Sequence, residues 1–440
     1  MKRALLFFTL LNITFNLFSQ GKVVTRYTTA TEQGVYPIKE KYSTIQKDTI
    51  LVHGAYTMYS YSGQVIITGN YSEGKRDGEF LNFYESGNTQ RRTVYENGLR
   101  QGKTEVFDKK GNLIQSGTFR NDTLTGVLSS YYENGKIKNT TEFKKGKPDG
   151  EVTEYYPNGQ IKEAISYING KQSGINTTYY EDGTIKSKIN YTNGLIDGLA
   201  LSYYPNGQLN TEANQRNGSS QGSYKKYYAN GQLMTSGFYR AGKLEGVIKS
   251  YYEDGSIEKE LYLSEGKKTG KNTTFHQNGK VKTKSQYSNF EKNNNEEEFN
   301  DRGTLIAIRK YREEKKSGEW KYFNDQGKIT LNENYELGKL EGKRTFFNNK
   351  GKPQKIERYE KGKKHGEEKS FHPNGKVLES QIYKFDRKDG VYEKLNKQGK
   401  PEIQGLYARN KKNGTWKYFD KNGDLIKTEV YKMGRLTKTK

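Results

Sequence analysis

The chain has 440 residues, a hydrophobic content of 31%, no cysteine and a formal net charge of +24. The absence of cysteine excludes a disulfide framework, a thiol nucleophile and a lipidated cysteine. The low hydrophobic content excludes a thick two-layer core, while 36 tyrosines and 19 phenylalanines separate the chain from disordered sequences, which are poor in aromatics.

In chain order, Lys2 and Arg3 precede an apolar run from Ala4 to Phe18 that Asn12 and Asn16 interrupt. A basic start joined to a short apolar run is the layout of a secretory signal rather than of a membrane span. Residues 1–20 are therefore expected to direct export to the periplasm, the cell surface or the medium, with cleavage near Ser19 to Gly21. Residues 21–53 are out of register with the rest of the chain and are expected to cap an open sheet edge.

From Gly54 to residue 437 one unit of 24 residues repeats sixteen times, leaving 438–440 as a tail. A leading glycine recurs at 15 of 16 positions up to Gly414, the exception being Asn294. A second glycine nine residues later is present at all 16, from Gly63 to Gly423. Counting the leading glycine as zero, +5 is Tyr or Phe in 15 of 16 units, +17 is Tyr or Phe in 14, and +11 is Val, Ile or Leu in 13. Aromatic and β-branched residues bounded by glycine indicate strands. Pairs such as Asn134-Gly135, Asn158-Gly159 and Asp182-Gly183 at +8 and +9 indicate hairpin turns. The expected fold is all-β, an elongated antiparallel β-meander of hairpin repeats.

Strand parity places +11, +13, +15 and +17 on one face, to which +5 is added, and leaves the opposite face wet. Tyr155, Tyr179 and Tyr203 are expected to stack as rungs of one aromatic ladder. Position +6 drifts from Tyr to His, Asn or Asp after His276, which marks it as solvent-tolerant. The four histidines fall at that position (His276, His372) or just before a leading glycine (His53, His365) and read as surface variation. Around Asn289 to Asn300 the pattern degrades, with Phe290 and Asn294 in place of glycines, so a hinge is expected near residue 294.

A stretch from Tyr131 to Val152, YYENGKIKNTTEFKKGKPDGEV, resembles the bacterial variant of the MORN repeat. The likeness lies in the YY-x-NG turn, the aromatic near +17 and the xxGKxxG loop, and it runs through residues 54 to 437. The resemblance implies a β-meander that serves as an interaction or scaffold module. Some bacterial relatives are labelled antitoxins, and eukaryotic MORN proteins are linked to membrane lipids and protein assembly. This chain departs from the eukaryotic pattern in having two tryptophans, Trp320 and Trp416, both at +2.

Charge supplies the candidate site. Position +21 is basic in 11 of 16 units: Lys75, Lys147, Lys171, Lys243, Lys267, Lys315, Lys339, Lys363, Arg387, Lys411 and Arg435. Position +22 adds Arg76, Arg100, Lys268, Lys292, Lys316, Lys364, Lys388 and Lys412. These cations keep a long β edge soluble or form a ladder for an anionic partner, which would be an envelope polymer, a lipid surface or an acidic protein. Nucleic acid is not expected of an exported chain. No catalytic, cofactor or metal set stands out: the Gly-Lys pairs form no strand–GxxxxGK[ST]–helix unit, and so regular a chain leaves little room for a catalytic pocket. The sequence is read as a non-enzymatic, exported interaction or scaffold protein. The alternatives are a module for envelope, carbohydrate or anionic lipid, and an antitoxin-like neutraliser of a protein partner.

Overall fold

A computed structural model describes residues 22–27, 37–46 and 50–440. The proposed signal segment lies outside the described residues, as does part of the proposed cap. The chain divides into two compact units that meet in sequence at Ser219 and Ser220. Every described residue in regular structure is in a strand.

In each unit the strands form an antiparallel meander, each paired with its chain neighbours. The first unit opens with Lys22–Tyr27 on Ile38–Gln46, which in turn pairs with Ile50–Tyr59, the first strand of the repeats. A typical repeat is the hairpin Gly78–Phe83 and Thr89–Glu96. Its register sets zero opposite +17 and +2 opposite +15, as in Gly78↔Tyr95 and Phe80↔Thr93. The second unit repeats this register in Trp320↔Glu333 and Trp416↔Glu429.

A β-bulge corrects the expected faces. The ladder shifts by one residue between +4 and +5, as between Asn82 and Phe83, so that Phe83 pairs with Thr89. One extra residue reverses the side-chain alternation beyond it. Positions +5 and +11 therefore lie on the face opposite +13, +15 and +17. The most buried apolar side chains of the repeats are mainly at +2, with Phe80 at 3%, Ile248 at 6%, and Trp320 and Trp416 at 2% exposure.

Ring contacts run along this +2 face. Tyr56, Tyr71, Phe80 and Tyr95 form a chain with centroids 5.2–5.5 Å apart. Trp416 stacks on Tyr392 at 5.5 Å and meets the edges of Tyr407 and Tyr431. The expected +5 ladder does not form. Successive +5 residues are two strands apart, about 9–10 Å, beyond the reach of ring stacking.

Where +2 is large, the preceding +15 is often glycine. A Cβ added at Gly69 would lie 2.5 Å from Phe80, at Gly237 2.4 Å from Ile248, and at Gly405 2.3 Å from Trp416. These glycines make room for a neighbouring ring or branched chain.

The two turns of the repeat also differ from expectation. At +19 all 16 residues are non-glycine with φ of 46–52°, usually followed by a positive-φ glycine at +20. That is the two-residue turn with both central residues left-handed. The amide of +20 reaches back to the carbonyl of the preceding +22, as in Gly98 to Arg76 and Gly338 to Lys316. At the other end, the +9 amide bonds the +6 carbonyl and the +6 amide bonds the +10 carbonyl, as in Gly87 to Tyr84 and Tyr84 to Asn88. Only +9 is left-handed there, so this is a three-residue turn closed by glycine, and the Asn at +8 has ordinary φ.

Position +6 is not solvent-tolerant; it holds the turn in one of two ways. In the first, a ring at +6 reaches the next repeat's +5 carbonyl: Tyr132 Oη donates to Tyr155 O at 2.7 Å and Tyr156 Oη to Tyr179 O at 2.9 Å. Tyr228 and Tyr252 do the same in the second unit. His276 and His372 make this bond through Nε2, each at 2.9 Å, to Phe299 O and Leu395 O. An Asn or Asp at +8 then accepts the +10 amide, as Asn158 does from Gln160. In the second, Asn or Asp stands at +6 and caps its own turn. Asn300 Oδ1 accepts the amides of Arg302 and Thr304, and Asp108, Asn324, Asn348, Asn396 and Asp420 accept equivalent amides.

The irregular repeat shows no break. Val281–Ser288 pairs with Asn293–Phe299 in an unshifted register. Asn294 lacks the positive φ of the leading glycines, and the bulge that those glycines occupy is absent. The compensation is a longer turn in which Asn289, Phe290 and Glu291 all have positive φ, of 50°, 50° and 72°.

Candidate interaction surface

The two basic positions have different environments. All eleven +21 cations are exposed. Their stems lie along the next repeat's +20 glycine: Lys75 against Gly98, Lys315 against Gly338, Lys411 against Gly434. Most +22 cations instead turn onto the +2 face and cover its rings. Lys316 Nζ lies 4.3 Å from the Trp320 ring and 4.7 Å from Tyr335. Lys412 repeats this on Trp416 and Tyr431 at 4.3 and 4.9 Å. Arg76 sits 5.2 Å from both Phe80 and Tyr95, Arg100 4.0 Å from Phe119, and Lys268, Lys364 and Lys388 each cover a +17 tyrosine. Lys292 pairs with Glu313 at 3.7 Å. The +22 cations are part of the packing, and the exposed ladder is the +21 row.

That row faces a second one. Position +18 pairs directly with +21 across the turn, and five pairs carry like charge: Lys144↔Lys147, Arg240↔Lys243, Arg312↔Lys315, Lys384↔Arg387 and Lys432↔Arg435. Like charges directly opposite each other destabilise a hairpin. Solubility alone does not call for this arrangement, whereas an anionic partner would relieve it. Among the +21 cations, Lys243 lies 3.6 Å from Glu265 and Lys267 Nζ lies 5.6 Å from the Phe290 ring.

The acidic groups of the +2 face are engaged internally. Burial opposes the charge of Glu357, but bonds from Lys364, Lys355 and Tyr359 outweigh it and bring its carboxyl down to about 2. Lys364 and Lys355 also hold Glu368, and Arg344 bridges Glu333 at 2.8 Å. Lys427, Tyr418 and Tyr431 hold Glu429, likewise at about 2. These carboxylates take the place of apolar packing at +2 and +15 and tie adjacent strands together. An open depression of about 360 Å³ is lined by Gln64, Val65, Phe83, Glu85, Ser86 and Gly87, all of them turn or adjoining strand residues. Among the described residues no group of three or more His, Asp or Glu is placed to hold a metal ion.

By charge alone +21 and +22 look alike, yet the sequence carries a signal that separates them. Aliphatic +22 residues precede aliphatic +2 residues at Leu124/Leu128, Ile196/Ala200 and Leu244/Ile248, though not at Leu340/Arg344, while Lys316, Lys412 and Arg76 precede Trp320, Trp416 and Phe80.

Comparison with known proteins agrees with this repeat. No curated protein matches the sequence. Solved structures with matching segments include a Photorhabdus luminescens Tc holotoxin pore, 11% identical, with 94% of this chain covering 27% of that one at a TM-score of 0.14. The TcdB2-TccC3 complex without its hypervariable C-terminal region is 9% identical, with 93% of this chain covering 30% of that one at 0.15. This chain spans under a third of those chains, and scores so low carry no argument about fold or role. The model of the MORN repeat variant matches residues 76–97, 124–145, 148–169, 172–193, 196–217, 220–241, 244–263, 268–289, 364–385 and 412–433. The longer gaps between matches fall on repeats whose turn is capped by Asp108, Asn300, Asn324, Asn348 or Asn396 at +6, although the repeat capped by Asp420 is matched, and the unmatched repeats keep the hairpin register. With ten matched segments and the same hairpin between them, the chain belongs to the MORN repeat variant family.

Proposed function

We propose that this protein is a non-enzymatic interaction module, exported by its N-terminal segment, that holds a protein partner along rows of equivalent hairpin ends. The observation that carries this reading is the division of labour between the faces and the ends. The +2 face spends its aromatic, cationic and acidic groups on internal packing. The +18 and +21 rows leave like-charged pairs exposed and repeated, as at Lys384↔Arg387 and Lys432↔Arg435. Repeated equivalent groups suit a partner that lies along a surface, and a row of one sign attracts the opposite sign.

The test is capture from native envelope extract by the full mature chain, with N-terminal sequencing of the endogenous protein to locate the cleavage. The reading expects one or a few acidic proteins, eluted by salt, and a mature N-terminus near residue 20. Retention of purified envelope polysaccharide with no protein captured would favour the carbohydrate alternative. Recovery of the chain in the cytoplasm with an intact N-terminus would refute export.

A further inference from the structure

The tips at +19 of the last five hairpins carry Leu337, Lys361, Phe385, Arg409 and Met433, an alternation of apolar and basic residues. All five have left-handed backbone, with φ of 46–50°. A side chain with a Cβ is disfavoured there, and Asn is the common non-glycine solution. The first compact unit uses that solution at Asn97, Asn121, Asn169, Asn193 and Asn217. The last five tips use none, and the apolar ones are exposed: Leu337 at 66%, Phe385 at 40% and Met433 at 45%. Phe385 rests against the His365 ring at 4.6 Å and otherwise faces out. Glu341 Oε2 accepts the Lys361 amide at 2.8 Å, but among the described residues no carboxylate forms an ion pair with the side chain of Lys361, Arg387, Arg409, Lys411 or Arg435. Strain accepted repeatedly at exposed positions points to a use for the side chains placed there.

We propose that this row binds an extended, acidic protein segment in which an apolar residue and an acidic residue alternate at every third position. The inference rests on the interaction-module reading and names the chemistry of its partner. Successive tips are two strands apart, about 9–10 Å. Three residues of a polyproline-type chain make one turn, cover about 9 Å and return the side chain to the same face. Leucine-sized side chains of the segment then meet Leu337, Phe385 and Met433, and its carboxylates meet Lys361 and Arg409. The +21 cations Lys363, Arg387 and Lys411 flank the track, and the segment's carboxylates relieve the like-charge pairs beside it, Lys384↔Arg387 and Lys432↔Arg435. A bare polyanion would leave the three apolar tips without a role.

The experiment uses the full chain and a fluorescein-labelled probe, Leu-Ser-Thr-Glu-Ser-Thr-Leu-Ser-Thr-Glu-Ser-Thr-Leu, with a control peptide of the same composition in which Leu and Glu are adjacent. Binding is read by anisotropy at low and high salt. The probe is expected to bind better than the control. The triple variant Leu337→Asn/Phe385→Asn/Met433→Asn should weaken binding by about tenfold or more. Because Asn suits left-handed backbone, that variant should melt no lower than the parent chain, so lost binding is not lost folding. Lys361→Asn/Arg409→Asn should weaken binding and flatten its salt dependence. Equal binding of probe and control, undiminished binding by the triple variant, or capture of anionic phospholipid vesicles but not the probe would each overturn the proposal. If the triple variant still captures the partner from envelope extract as the parent chain does, this inference falls and the module reading stands. If the parent chain captures nothing there, the module reading itself falls.

Discussion

Gly405 and Trp416 offer a direct trial of the packing along the +2 face. Gly405 pairs with Tyr392 in extended backbone, so alanine is compatible with its main chain. The obstacle is steric: an added Cβ would lie 2.3 Å from the Trp416 indole. The indole is held in place. Its Nε1 donates to Leu406 O at 3.1 Å, Tyr392 stacks on it at 5.5 Å, and Lys412 caps it at 4.3 Å. Gly405→Ala must displace it, at about 1–3 kcal/mol for overpacking and about 1 kcal/mol for the lost hydrogen bond. Trp416→Ala alone should cost about 3–5 kcal/mol, because the ring is 2% exposed. In the Trp416→Ala background the Gly405 methyl enters vacated space, so its cost should fall to near zero. The double-mutant cycle should thus show a coupling of about 3 kcal/mol. Hydrogen exchange of peptides spanning 401–432 reads it locally, since damage in a repeat array stays near the altered repeat. Equal cost of Gly405→Ala in both backgrounds would show that the indole does not cover this glycine.

Tyr156→Asn should be milder than Tyr156→Ala, because Asn at +6 can cap its own turn as Asn300 does, while Ala loses the bond to Tyr179 O, about 1 kcal/mol; exchange rates in 150–183 decide, and equal effects would refute the two-way turn scheme. Phe290→Gly should stabilise by about 1 kcal/mol, since Phe290 is 62% exposed at a φ of 50°; unchanged exchange in 281–299 would count against strain at this turn. Glu357 has its carboxyl lowered from 4.5 to about 2, so the unfolded chain binds the proton more tightly. Its contribution, on the order of 3 kcal/mol, is fully present above about pH 4.5 and is lost as pH falls through 2. The stability gap between the parent chain and Glu357→Gln should accordingly close on acidification. A gap constant from pH 6 to 2 would contradict the Lys364–Glu357–Lys355 network.

The period, the hairpins and the glycine turn at +9 were legible in the sequence, because glycine and aromatic spacing map directly onto turns and strands. The faces were not. A single bulged residue at +12, opposite the +4/+5 step, reverses parity, and nothing in the residue types at +5 and +11 announces it, as both stay apolar on either face. The two-residue turn was sought at +8/+9 and found at +19/+20, because Asn-Gly occurs at both. What separates them is that +19 is left-handed in every repeat even when it is Leu337 or Phe385. The role of +6 was obscured by averaging over repeats. Read together with +8, most repeats fall into two combinations, ring then Asx or Asx then another residue, with Ser60/Ser62, Tyr84/Ser86 and Asp420/Asn422 as the exceptions. The ladder was half legible: basic character showed in composition, but charge alone does not tell that Lys412 turns onto Trp416 and Lys411 stays in solvent.

The central claim, that a partner lies along rows of equivalent hairpin ends, is tested most directly by cross-linking mass spectrometry on the complex captured from envelope extract, with an amine-to-carboxyl reagent. The expected result is links from the partner's acidic residues to several successive members of the +21 row, Lys339, Lys363 and Lys411 among them, in order along the partner's sequence. Links confined to one repeat, or scattered over lysines of the +2 face such as Lys316 and Lys412, would contradict it.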